Sequence, residues 1–96
     1  MSIEHAKHEI IEYCMEEFGS KSDFSNLEAV PLGDTELYDE NEKPHHVEIK
    51  ADLIHPCIYW ILDGYDNREK DYPTLLDLAK YISKITFSDL CEEVEF

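Results

Sequence analysis

The segment Cys57–Leu62 constrains the fold of this chain most strongly. It is uncharged, rich in β-branched and aromatic side chains, and it includes Trp60, the single tryptophan of the sequence. Asp63-Gly64 follows directly, and an Asp-Gly pair is a strong signal for a tight hairpin turn. Because a short run that is apolar at every position is typical of a strand buried on both faces, we predict a central strand here.

A second strand is predicted immediately before this segment, from His46 to Ile54. Apolar and polar residues alternate along it, which is typical of an antiparallel strand with one buried and one wet face. The predicted buried residues are Val47, Ile49, Ala51 and Leu53, and the predicted water-facing residues are His46, Glu48, Lys50 and Asp52. His55-Pro56 then predicts the reversal of the chain into Cys57–Leu62.

Weaker strand signals lie on either side of this pair. Leu27–Leu32 predicts an edge strand, because Pro31 lacks the amide donor that a central position needs. Gly33-Asp34 predicts a turn, and Thr35–Tyr38 predicts a short strand or an irregular segment. Tyr65–Tyr72 is dense in charge and predicts either a solvated return strand or a long turn.

Helices are predicted at both ends of the chain. Residues 3–18 carry an apolar stripe with a 3.6-residue period, formed by Ile3, Ile10, Ile11, Cys14, Met15 and Phe18. Residues 74–84 carry a second stripe, with Thr74 as the N-cap and Asp77 completing a capping box. A last short helical turn is predicted to begin at Thr86 or Ser88.

These elements predict a single two-layer α+β domain over residues 1–96, in the order α-β-β-β-(β)-α. The connections between the strands are too short for parallel crossovers, so the sheet is predicted to be an antiparallel meander of three to four strands. The N-terminal and C-terminal helices are predicted to cover one of its faces.

Charge excludes several classes of partner. The chain has 23 Asp and Glu against 8 Lys and Arg, a formal net charge of −15. This argues against direct nucleic-acid binding and against an anionic membrane surface, both of which require basic residues. We therefore expect a basic protein partner. The three cysteines lie in apolar segments, and residues 1–18 resemble no signal peptide, so we expect a cytoplasmic protein with reduced thiols.

Motifs for catalysis or cofactor binding are missing from the sequence. It has no G-x-S-x-G, P-loop or G-x-G-x-x-G pattern, and its cysteines lack neighbouring basic residues that would lower a thiol pKa. The histidines do not have the spacing of a closed four-ligand zinc site; they are His5, His8, His45, His46 and His55. We therefore predict no catalytic activity, cofactor or metal.

Two surfaces are candidates for an interaction. Tyr59 and Ile61 should lie on the face of the central strand that the helices leave open, where an apolar patch typically marks a contact with another protein or a second copy. The alternative is a nucleic-acid mimic that occupies a DNA- or RNA-binding protein. Its carboxylates would stack along the first helix at Glu9, Glu12 and Glu16. A small metal-dependent or hydrolytic enzyme is a third, less favoured reading.

Added salt is predicted to stabilise the folded protein. Raising NaCl from low concentration to 0.3 M should raise the melting temperature followed by circular dichroism, because salt screens like-charge repulsion beyond about 10 Å at 0.1 M. KCl at the same ionic strength should act equally, since screening does not depend on the identity of the ion. A fall in melting temperature would show that attractive surface pairs outweigh the repulsion.

Overall fold

A four-stranded antiparallel sheet with helices from both ends of the chain forms the fold. The computed structural model describes residues 3–17 and 29–94. The elements are α1 (Ile3–Glu17), β1 (Val30–Tyr38), β2 (Pro44–Asp52), β3 (Cys57–Leu62), β4 (Asp66–Asp71), α2 (Leu75–Ile82) and α3 (Phe87–Glu92). The strand order is β1-β2-β3-β4, with each neighbour antiparallel. This confirms the predicted α+β meander and shows that the charged segment after Gly64 is a strand.

The pairing of β2 with β3 forms the centre of the core. Ile49 lies opposite Trp60, and Ala51 lies opposite Ile58; Ile49 and Ala51 are buried, as the alternating pattern predicted. The helices supply the other side of this core through Ile10, Leu75, Leu78, Ile82 and Leu90. The apolar faces of all three helices therefore meet the same face of the sheet, which we call the inner face.

Trp60 joins the central strand to the last helix. Its side chain is 6% exposed, and its Nε1 donates a hydrogen bond of 3.0 Å to the carbonyl oxygen of Leu90. A buried indole N–H needs such a partner, because an unpaired donor in the core is destabilising. Helix α3 is thus fixed to β3 by a polar contact as well as by packing.

Side-chain caps begin both C-terminal helices. The hydroxyl of Thr86 accepts from the backbone N–H of Asp89, whose carboxylate accepts in return from the Thr86 N–H, so a capping box starts α3. Thr74 caps α2 as predicted, accepting from the N–H of Asp77. The Asp77 carboxylate, however, accepts from the Thr74 hydroxyl rather than from its backbone N–H. The predicted box at α2 is therefore only half formed.

The prediction of a turn at Gly33-Asp34 is wrong. Strand β1 continues through these residues, and its register with β2 shifts between Pro31 and Gly33. Gly33 has a φ of +149°, and a Cβ atom there would lie 2.8 Å from Cε1 of Phe87. The glycine thus makes room for an aromatic ring of α3 at an irregularity in the strand. Pro31 lies on an edge strand, as predicted.

Several predicted boundaries move or lie outside the described residues. Strand β2 begins at Pro44 and ends at Asp52, earlier than predicted at both ends, and residues 53–56 form the turn. The beginning of the predicted strand Leu27–Leu32 lies outside the described residues. In the predicted stripe of α1, Ile10 is buried and Ile11 packs against the core, while the other members lie outside the described side chains.

Two further features concern the helices. The Tyr13 hydroxyl of α1 donates a hydrogen bond of 2.9 Å to the carbonyl oxygen of Ile85, between α2 and α3, and so links the first helix to the last part of the chain.

Over residues 3–17 and 29–94, no helix combines the length and the apolar character that crossing a membrane requires.

Replacing the buried tryptophan should destabilise the fold strongly. Trp60→Ala should lower the free energy of unfolding by about 3–5 kcal/mol, because it removes a large core side chain. Trp60→Phe should lower it by about 1–3 kcal/mol, since the ring packing is kept but the Leu90 carbonyl loses its donor. Urea denaturation measures both values.

The matched control is Tyr65→Ala, at a position that is 84% exposed. It should change the free energy of unfolding by less than about 0.5 kcal/mol. The fluorescence of the wild-type protein gives an independent check, since a tryptophan emission maximum equal to that of free tryptophan in water would contradict the buried environment.

Candidate functional site

The face of the sheet opposite the described helices is the candidate functional site. Because successive side chains of a strand point to opposite faces, it is formed by every second residue of each strand. We call this set the outer face: Asp34, Glu36, His46, Glu48, Lys50, Asp52, Cys57, Tyr59, Ile61, Asn67, Glu69 and Asp71. The described helices pack their buried residues against the inner face, so they do not cover this one.

Tyr59 and Ile61 lie at the centre of the outer face. Both side chains are half-buried, and they point away from the buried Ile58, Trp60 and Leu62, as the alternation predicted. Tyr59 lies between Lys50 and Glu69 on the neighbouring strands, and Ile61 lies between Glu48 and Asn67. The apolar patch is therefore one strand wide, with polar and charged side chains on both sides.

Negative charge surrounds the patch. Asp34 and Glu48 lie directly opposite each other on β1 and β2. The side-chain nitrogens beside these carboxylates make long contacts: His46 Nε2 lies 3.6 Å from both Asp34 Oδ2 and Glu48 Oε1, and Lys50 Nζ lies 3.8 Å from Glu48 Oε2. Pairs of this length between partly exposed groups are weak, so the outer face keeps a negative potential.

Burial and the surrounding charges both affect the pKa of Tyr59. Burial, and then the neighbouring Asp52, Cys57 and Glu48, raises the pKa of the Tyr59 hydroxyl above its ordinary value. The hydroxyl is therefore protonated at neutral pH.

The outer face contains a shallow depression rather than a ligand pocket. It has a volume of about 240 Å³ and is lined by Pro31, Gly33, Asp34, Glu48, Ile49 and Lys50. It lies where the register of β1 shifts, and it is smaller than the roughly 300–1,000 Å³ of typical small-molecule sites.

One thiol and two carboxylates meet near one end of the outer face. The thiol of Cys57 and the carboxylates of Glu69 and Asp71 place potential metal-ligating atoms within 4.8 Å of one another. Burial, followed by nearby carboxylates, raises the pKa of the Cys57 thiol to about 11. The group is therefore protonated at neutral pH, and it could act as a nucleophile or a metal ligand only after losing that proton.

The carboxylates predicted on the first helix belong to a different surface. Glu9, Glu12 and Glu16 are exposed on α1, and Glu12 Oε1 lies 3.0 Å from His8 Nε2. Helix α1 packs on the inner side of the sheet, whereas Tyr59 and Ile61 face the opposite side. The two predicted interaction surfaces therefore do not combine into one site.

Sequence reasoning missed a third arrangement, at the end of the sheet where the β1–β2 and β3–β4 turns meet. His45 Nδ1 lies 2.7 Å from Asp63 Oδ2, and His45 Nε2 lies 3.0 Å from Asp39 Oδ2. We call these residues the His45 cluster. Its members are well separated in the sequence, and only the antiparallel pairing brings both turns to the same end, so no local motif marks it.

Comparison with known proteins found no relative: no protein family, curated protein or solved structure matches the chain. Any assignment of function therefore depends on the surfaces and groups described above.

The Cys57 thiol should be unreactive in the folded protein. At pH 8 it should react with iodoacetamide on the order of 100-fold more slowly than in urea, because a thiol of pKa about 11 is almost fully protonated and is also buried. Peptide mass spectrometry resolves Cys57 from the other cysteines, and a Cys57→Ser variant provides the control. Equal rates in buffer and in urea would contradict the protected thiol.

Proposed function

We propose that this protein is a small acidic interaction module of the cytoplasm, without catalytic activity, which binds a basic surface of another protein through its outer face. The observation that carries this proposal is the position of Tyr59 and Ile61 in the centre of the sheet face that the described helices leave open, with carboxylates around them. A nucleophilic enzyme is less well supported, since the pKa values of the described thiols, Cys57 and Cys91, are raised.

The composition of the outer face favours protein binding. A partly apolar centre with a polar rim is the usual anatomy of an interface, and tyrosine is enriched there. Strand β3 is paired on both sides, to β2 and to β4, so its backbone is held in place before a partner arrives. A rigid surface loses less conformational entropy on binding than a loop does, which favours affinity.

The negative charge of the outer face determines which kind of partner it would attract. The carboxylates of the outer face and the net charge of −15 would attract a basic surface and speed its association. In a homodimer formed through the same face, carboxylates would approach carboxylates, and the repulsion would oppose association. A homodimer stays a prediction that sedimentation can test, but complementarity favours a basic hetero-partner.

A nucleic-acid mimic is the second candidate. Two observations favour it. Carboxylates lie on both sides of the molecule, with Glu9, Glu12 and Glu16 exposed on α1. On the outer face, Asp34 of β1 lies directly opposite Glu48 of β2. A rigid array of carboxylates can occupy the basic site of a DNA- or RNA-binding protein. Such binding should be dominated by charge and therefore highly sensitive to salt.

A pull-down from the native host, with mass spectrometry at low and high salt, tests the proposal. Tyr59→Lys and Ile61→Lys should each abolish capture of the partner, because each places a cation in the apolar centre. The matched control is Ile54→Lys, at an apolar position that is 62% exposed on the β2–β3 turn and outside the outer face; it should leave capture unchanged. Equal loss with all three variants, or with none, would contradict the proposal.

A charge-matched pair separates the two candidates. Glu48→Lys/Glu69→Lys and Glu9→Lys/Glu12→Lys change the net charge equally, but the first alters the outer face and the second alters α1. The proposal predicts loss of the partner with the first variant only, and partial retention of the wild-type complex in high salt. Loss with the α1 variant, together with complete salt sensitivity and a DNA- or RNA-binding partner, would favour the mimic instead.

A further inference from the structure

The His45 cluster connects two turns that are distant in the sequence. Asp39 begins the turn between β1 and β2, Asp63 begins the turn between β3 and β4, and His45 lies on β2 between them. The imidazole ring is partly buried, with 23% of the side chain exposed, and each of its nitrogens lies within hydrogen-bond distance of a carboxylate oxygen. The cluster does not depend on the binding function proposed above.

Each carboxylate is also held by backbone N–H groups, through the oxygen that does not contact the ring. Asp39 Oδ1 accepts from the backbone N–H groups of Asn41 at 2.8 Å and Lys43 at 3.0 Å, leaving Oδ2 for His45. Asp63 Oδ1 accepts from the N–H of His46 at 3.1 Å, again leaving Oδ2 for the ring. The two carboxylates are therefore positioned independently of the histidine, one on each side of it.

The number of protons on the ring decides whether both contacts are attractive. A neutral imidazole has one N–H donor, and its second nitrogen carries a lone pair. Against two ionised carboxylates, a neutral ring would donate to one and direct its lone pair at the other, at a distance of 2.7 or 3.0 Å. Only the imidazolium form donates to both.

We propose that His45 is a protonation-dependent clasp: as an imidazolium it donates to Asp39 and Asp63 and holds the two turns together, and loss of its proton releases one of them. The group would thus make the geometry of this end of the sheet sensitive to pH. The carboxylates of Asp39 and Asp63 contact the ring from the two turns, and its cross-strand neighbour on β1 is the apolar Leu37.

The directions of the pKa shifts of His45, Asp39 and Asp63 agree with this proposal. Hydrogen bonds with Asp39 and then Asp63 raise the pKa of His45, while the hydrogen bond with His45 lowers the pKa of each carboxyl. A raised histidine pKa stabilises the folded state fully below the unfolded value of about 6.5, and this contribution is lost as the pH rises through the folded value. The lowered carboxyl pKa values stabilise above about 3.9, and that contribution is lost as the pH falls through them. In the folded protein the clasp is therefore closed between the lowered pKa values of the two carboxyls and the raised pKa of His45, and it opens outside that range.

Nitrogen-15 NMR of the wild-type protein tests the clasp directly. Both ring nitrogens of His45 should have imidazolium shifts at pH 6. The amide signals of His46, Asn41 and Lys43, which donate to the same carboxylates, should titrate with the same midpoint as the ring. A ring in a single neutral tautomer at pH 6, or amide signals that do not follow its titration, would overturn the proposal.

Variants distinguish a clasp from a histidine that is merely packed. The titration midpoint of His45 should fall in Asp39→Asn and in Asp63→Asn, and should fall furthest in the double variant. The loss of melting temperature in His45→Gln should be larger at pH 6 than at pH 9. The matched control is His55→Gln, which removes a single 3.5 Å contact with Asp71 between exposed side chains and should show no such difference. An unchanged midpoint in both Asn variants, or equal losses for His45→Gln at both pH values, would refute the clasp.

Discussion

The hydrogen bond from the Trp60 indole to the carbonyl of Leu90 couples the central strand to the last helix, and much of the structure depends on that coupling. With α3 held against the inner face, the ring of Phe87 reaches β1 at Gly33, where a larger residue would collide with it. The last helix therefore contacts both the centre and the edge of the sheet. This closes the inner face and leaves the outer face as the side that the described helices do not cover.

That asymmetry gives the two faces of β3 different roles. Ile58, Trp60 and Leu62 are buried on the inner face and contribute to stability, whereas Tyr59 and Ile61 are only half-buried on the outer face. The surrounding carboxylates keep the outer face hydrated and discourage contact with another acidic surface. The same charges would favour a basic partner, so one arrangement serves both solubility and the proposed selectivity.

The predictable parts of the fold were those with a local physical cause. The alternation along β2, the apolar run of β3 and the start of the last helix at one of two residues, Thr86 or Ser88, could each be read from neighbouring residues. The role of Gly33 could not be predicted in this way, because it depends on Phe87, a residue that only the tertiary fold brings near. The His45 cluster was missed for a related reason: two turns supply its carboxylates, and their meeting depends on strand order.

Site-specific photo-crosslinking tests the central claim, that partners bind the outer face, most directly. A photoreactive residue would be placed in turn at Asn67, which lies beside Ile61 on β4, and at Lys84, which follows α2; both positions are exposed. The account predicts that the same protein partner is crosslinked in the native host from position 67 and not from position 84. Crosslinking from position 84 but not from position 67 would contradict it.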